Sequence, residues 1–95
     1  MSYFALISQD VPNSLPLRKV ARPAHIQRLE VLRDENRLLI AGPFPDPNGE
    51  GFTGSLIVAD FKSLEAAEEW AAADPYKSAG VYRDILVKPF KKVLP

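Results

Sequence analysis

The 95-residue chain has no cysteine, a single histidine and no surplus of charge: Lys+Arg and Asp+Glu both count 12. Without cysteine there is no disulfide, no thiolate nucleophile and no Cys-based zinc site. With one histidine, a metal centre would have to be built almost wholly from carboxylates, so no metal is expected. Without a basic excess there is little to neutralise a phosphate backbone, so no nucleic-acid partner is expected. The one basic cluster, Lys88, Lys91 and Lys92, reads as a solvated edge. Long hydrophobic runs are also missing, and Met1-Ser2-Tyr3-Phe4 carries no charged leader. No signal peptide or membrane span is expected, and the default location is the cytoplasm.

What is present suits one globular domain. Hydrophobic residues make up 46% and charged residues 25%, ordinary values for a chain that buries roughly 60% of its unfolded surface. Tyr3–Ser8 predicts a strand, closed by the polar run Gln9–Asn13. Ser14 is placed to cap a helical turn through Lys19. Pro23 disfavours the α region at Arg22 yet suits a first helical turn. The pattern therefore predicts a break near Arg22 and a main helix from Pro23 to about Asn36, with Ala24, Ile26, Leu29, Val31 and Leu32 apolar. Leu38–Ala41 reads as a second strand, Phe44–Gly54 as an irregular Pro/Gly-rich loop, and Ser55–Phe61 as a third strand. Ser63 caps a helix over Leu64–Ala73, which Asp74-Pro75 ends. Tyr76–Gly80 reads as a turn or a short helical piece, followed by a last strand from Val81 to about Val93, with Pro89 pointing to a sheet edge.

The order β-α-β-β-α-β is the ferredoxin-like arrangement, an α+β fold with a four-stranded antiparallel sheet, strand order 4-1-3-2 and two helices on one face. Its strands should then be apolar on one side only. They are not: Tyr3, Ala5 and Ile7 alternate with Phe4 and Leu6, and Ile57, Ala59 and Phe61 with Leu56 and Val58. Two helices cover one face, so the other is expected to pack on a second copy, a homodimer forming an α/β barrel.

The same topology gathers the chemically interesting residues at one edge. Arg22, His25, Gly42, Pro43, Ser55, Asp74, Tyr76 and Tyr82 all fall there. Histidine is the side chain whose ordinary pKa suits proton transfer near neutrality. Placed in a first helical turn, His25 would feel the positive helix end, and Asp74 could orient its ring. Arg22 could clamp a carboxylate, and Ser55 or Tyr76 could donate to an oxyanion. Equally, a lone histidine can be a hydrogen-bonded structural residue, Asp before Pro a helix cap and Arg22 a surface ion-pair partner.

Five short motifs run in order: Arg22-Pro23-Ala24-His25, Ala41-Gly42-Pro43, Gly51-Phe52-Thr53-Gly54-Ser55, Ala73-Asp74-Pro75-Tyr76 and Val87-Lys88-Pro89-Phe90. Together they resemble the YCII-related (YciI-like) family over essentially the whole chain, as a single domain of residues 1–95. The resemblance implies a ferredoxin-like fold assembled as dimers and a site centred on His25 and Asp74. It also implies kinship with a dehydrochlorinase of a chlorinated hydroxyhydroquinone and, at fold level, with muconolactone isomerases and cofactor-independent monooxygenases. Fold kinship does not fix a reaction. The expectation is a cofactor-independent isomerase, lyase or dehydrochlorinase acting on a small organic acid or ring-derived molecule. His25 and Asp74 would be catalytic, Arg22, Ser55, Tyr76, Gly42 and Pro43 would bind substrate, and the 43–54 loop would serve as lid. The alternative is a dimer that binds or senses a small ligand without chemistry.

Overall fold

Residues 2–95 are described by a computed structural model. The elements are β1 (Ser2–Asp10), α1 (Leu15–Asp34), β2 (Leu38–Pro45), β3 (Phe52–Phe61), α2 (Leu64–Ala72), α3 (Pro75–Ser78) and β4 (Tyr82–Phe90). The four strands form one antiparallel sheet in the order β2-β3-β1-β4. This is the expected ferredoxin-like α+β architecture. Among the described residues no helix is long and apolar enough to cross a membrane.

Alternation along the strands sets the core, because successive side chains point to opposite faces. Phe4 and Leu6 of β1 and Ile57, Ala59 and Phe61 of β3 face the helices. They pack against Leu29 and Leu32 of α1 and Ala67 and Ala71 of α2. Small alanines on α2 let that helix approach the sheet closely, while Trp70 fills its flank against Phe61, with ring centroids 5.8 Å apart. Ser63 caps α2 as expected, its hydroxyl accepting from the Ala66 amide at 3.1 Å.

Three expectations change. First, Pro23 does not break the helix: α1 runs unbroken for 20 residues with Pro23 inside it. An interior proline removes one helical hydrogen bond and costs about 3 kcal/mol, but both flanks of this one are anchored. Leu29 and Leu32 are buried on one side of it and Arg18 on the other. Ala24 and Val31, expected on the apolar face, are exposed. Second, Ser14 stands at the N-cap but its side chain does not cap; it bonds Asp10 instead. Third, the long irregular loop is strand at both of its ends. β2 continues to Pro45 and β3 starts at Phe52, so the connection is only 46–51, too short for the expected 43–54 lid. β2 is an edge strand, where the missing amides of Pro43 and Pro45 are tolerated. Pro89 sits on the other edge strand, β4, as anticipated.

The second face of the sheet carries Tyr3, Ala5, Ile7, Leu56 and Val58, paired across β1 and β3. Ile40, Phe44, Leu86 and Phe90 extend it over both edge strands and are 39–56% exposed. No helix covers this face.

Where the end of β1 pairs with the start of β3, Gly54 is required by close approach. A Cβ there would lie 2.1 Å from the Ser8 carbonyl oxygen. Gly54→Ala is expected to cost about 2–4 kcal/mol in urea denaturation through this backbone clash. Gly49→Ala, with nothing within 4 Å, should stay within about 0.5 kcal/mol of the parent.

Candidate functional site

Three elements converge at one edge of the sheet: the first half of α1, the adjoining ends of β2 and β3, and the segment 74–76 that starts α3. Helical spacing places Arg18, Arg22 and His25 on one face of α1, at intervals of four and three. His25 and Arg18 are buried, whereas Arg22 is exposed. His25 lies in the body of α1 rather than its first turn. The helix-end field expected to act on it fades within the first turn, so that influence does not apply.

The His25 ring is held on two sides. Its Nδ1 lies 2.9 Å from Asp74 Oδ1, and its plane stacks on Tyr76 with centroids 3.9 Å apart and 7° between planes. Asp74 Oδ1 also accepts from the Tyr76 amide at 2.9 Å, capping α3. A carboxylate accepts only, so Nδ1 carries the shared proton and the lone pair of neutral His25 rests on Nε2. The cap anticipated for an Asp before Pro and the contact to His25 thus coexist on one oxygen atom.

A second buried pair stands beside the first. Arg18 grips Asp10 side-on, Nε to Oδ2 at 2.7 Å and Nη2 to Oδ1 at 3.0 Å. Its Nη2 also donates to Ser55 Oγ at 2.9 Å and to the Gly54 carbonyl at 3.0 Å. Ser14 Oγ donates to Asp10 Oδ2 at 2.6 Å. The guanidinium carbon lies 5.0 Å from the Tyr76 ring centre and 5.2 Å from that of Phe52. Burial works against the Arg18 charge, but the hydrogen bonds and charge of Asp10 outweigh it and raise the pKa further. Burial also raises the Tyr76 phenol, against the pull of Arg18 and Arg22. Burial and then the charge of Asp74 push the Tyr82 phenol up to about 12.

Between these groups lies a cavity of about 250 Å³. Of the residues expected to bind substrate, Arg22, Gly42, Pro43, Ser55 and Tyr76 all line it, together with His25. Asp74 stands behind His25, outside the wall. Ile26, Leu29, Phe52 and Ile57 supply apolar floor. The ionisable side chains on the wall are Arg18, Lys19, Arg22, His25 and Tyr76, with no carboxylate. Among the described residues no cluster of metal-ligating side chains occurs.

The sequence reading missed Arg18, Asp10 and Ser14. A helix expected to start at Pro23 hides the register that joins Arg18 to His25. Read as one helix from Leu15, the stripe Arg18-Arg22-His25-Leu29 is the signal that would have found Arg18. Asp10, eight residues before Arg18, becomes its partner only once the turn after β1 leads straight into α1.

The YCII-related domain profile matches residues 1–91. A protein named YciI from Escherichia coli O6:H1 is 55% identical over 95% of this chain and 97% of its own length. An uncharacterised protein of Haemophilus influenzae is 52% identical over 96% of this chain and 98% of its own. Among solved structures, the 5-chloro-2-hydroxyhydroquinone dehydrochlorinase TftG of Burkholderia phenoliruptrix, in complex with 2,5-dihydroxybenzoquinone, superposes with a TM-score of 0.82. It is 26% identical, covering 94% of this chain and 93% of that one.

Asp10→Ala would leave the Arg18 guanidinium buried with only neutral partners. The expected loss is about 3–5 kcal/mol in chemical denaturation, the cost of an uncompensated buried charge. The double variant Asp10→Ala/Arg18→Met should recover much of it.

Proposed function

The chain belongs to the YCII-related family, and from that premise we propose that it is a cofactor-independent enzyme of the lyase, isomerase or dehydrochlorinase type. In this reading His25 transfers a proton on a small anionic, ring-derived or carbonyl-bearing molecule. The observation that carries it is a buried His–Asp pair set against a cavity whose charged wall residues are all cationic. Such a wall attracts an anion and disfavours a neutral or cationic isostere. The likeness to a dehydrochlorinase held with a dihydroxybenzoquinone supports the substrate class.

Each residue then has a task. Neutral His25 takes a proton at Nε2, and Asp74 stabilises the imidazolium that results and holds the ring in one tautomer. Stacking on Tyr76 fixes the ring plane, leaving little reorganisation for the reactive step. Arg22, exposed at the mouth, meets the carboxylate or enolate of the incoming ligand. Arg18 presents buried positive charge to charge that develops on an oxygen, and Ser55 holds the guanidinium in place. Proton transfer of this kind needs no cofactor.

Incubation with 5-chloro-2-hydroxyhydroquinone and a panel of small hydroxyquinones and keto acids tests the proposal, with chloride release and product followed together. His25→Ala should lower turnover about 10²–10⁴-fold, the usual worth of a positioned acid–base group, with the fold retained by circular dichroism. Full activity in that variant would sink the reading. One observation favours a non-catalytic ligand-binding dimer instead: Asp74 already has a structural duty as the cap of α3. That alternative predicts a ligand-dependent rise in Tm with no product after long incubation.

The assembly proposed is a homodimer packed sheet to sheet. Support comes from Ile40 and Phe44 on one edge strand and Leu86 and Phe90 on the other, left half-exposed beside the apolar centre of this face, with Lys88 the one charged residue among them on β4. Sedimentation equilibrium should give twice the 10.5 kDa chain mass, and Leu86→Asp should shift the protein toward monomer. A wild-type monomer at micromolar concentration would overturn this assembly.

A further inference from the structure

Beside Asp74 lies a second and much smaller cavity, separated from the main one by Ser55 and Ile57, which line both. Its volume is about 10 Å³, enough for the centre of one water molecule. Four polar side chains reach its wall: Ser8, Ser55, Asp74 and Tyr82. The Tyr82 hydroxyl is fully buried and has no hydrogen-bond partner within the protein. The Ser8 and Ser55 hydroxyls are near enough to favour its ionised form, yet neither meets hydrogen-bond geometry with it. A buried phenol without an acceptor costs roughly 1–3 kcal/mol, so something of the right size and polarity should complete it.

We propose that this cavity is a single-water site, and that Tyr82 acts through its water as a positioning residue for the His25–Asp74 pair. The hydrogen-bonding inventory closes around one water. Tyr82 holds its proton through the physiological range, so it donates. Ser55 Oγ already accepts from Arg18 Nη2 and keeps its own proton to donate. Ser8 Oγ donates to the Ser55 carbonyl at 3.4 Å and is left to accept. Asp74 takes His25 and the Tyr76 amide on Oδ1, so Oδ2 is outside both bonds and accepts the last proton. The water thus receives two hydrogen bonds and gives two, the coordination that buried waters prefer.

This site joins the two buried pairs. The chain of donors runs from Arg18 through Ser55 and the water to Asp74, and there meets the donor from His25. The water spreads the carboxylate charge and fixes the plane of Asp74, which in turn fixes His25. Tyr82 is therefore tied to the reactive ring without touching it or the ligand.

The inference rests on the proton-transfer role proposed for the pair, but its test uses no turnover. A high-resolution crystal structure should hold one ordered water within about 2.6–3.2 Å of Asp74 and of Tyr82 Oη. Tyr82→Phe should lower Tm by several degrees and displace the His25 Nδ1–H proton resonance, because the carboxylate loses part of its support. A dry cavity, with Tyr82 bonded directly to Ser8 or Ser55, overturns the proposal. So does a rise of Tm in Tyr82→Phe, the result expected for deleting an unsatisfied buried hydroxyl, and so does an unmoved resonance. Should Tyr82→Phe not fold, Ser8→Ala in the same resonance measurement decides, a displacement supporting the water and no displacement counting against it. Activity surviving in His25→Ala would sink the enzyme reading and leave the water standing; a dry cavity would do the reverse.

Discussion

A guanidinium cannot be buried without an acceptor for its charge, and Arg18 has one only because β1 ends at Asp10. The side-on grip, with Ser14 completing the carboxylate and Ser55 and the Gly54 carbonyl completing the guanidinium, ties β1, α1 and β3 together at one edge. Charge-assisted bonds of this geometry are strong and directional. The pair anchors the N-terminal half of α1 on the sheet, while Leu29 and Leu32 anchor the other half. Pro23 between them weakens the helix without ending it. Everything set on that helix face inherits its position from these two anchors.

On that frame Asp74 answers two demands with one oxygen. It caps a single helical turn and orients a histidine 49 residues away in the chain by bonding both at Oδ1. The cap is local chemistry, dictated by Asp before Pro. The contact to His25 is tertiary, and it costs no additional ordering of a side chain the cap already holds. Tyr76, two residues on, lies face to face with the same imidazole. The short segment from Asp74 to Tyr76 thus controls both the proton and the plane of the ring.

The sheet divides its own labour. One face builds the core with α1 and α2, and the upper end of that face opens into the cavity. The opposite face is apolar at its centre and carries none of the described helices, and its apolar edge residues Ile40, Leu86 and Phe90 stand more exposed than that centre, with Lys88 beside them. A sequence that alternates large apolar residues on both sides of each strand is asking for cover on both sides. The chain supplies cover for one.

The amino-acid sequence by itself determined the order of elements, the antiparallel sheet and the family. Strand periodicity, the Ser63 cap and the edge position of Pro89 are local physics, legible from the residues alone. It also brought His25, Asp74, Arg22, Ser55, Gly42, Pro43 and Tyr76 to one edge, because topology alone fixes which loop ends share a side. The tertiary structure decided what local rules could not. Pro23 reads as a helix break, and only the packing on either side of it keeps α1 whole. The stretch 44–54 reads as loop, and only pairing with neighbours makes its two ends strand. Asp10, Ser14 and Arg18 look like surface residues, since polar side chains are ordinarily solvated. They are near one another in the chain, but the turn between β1 and α1 has to fold Arg18 back onto Asp10, and the Gly54 carbonyl and Ser55 that complete the guanidinium come from β3, far along the chain.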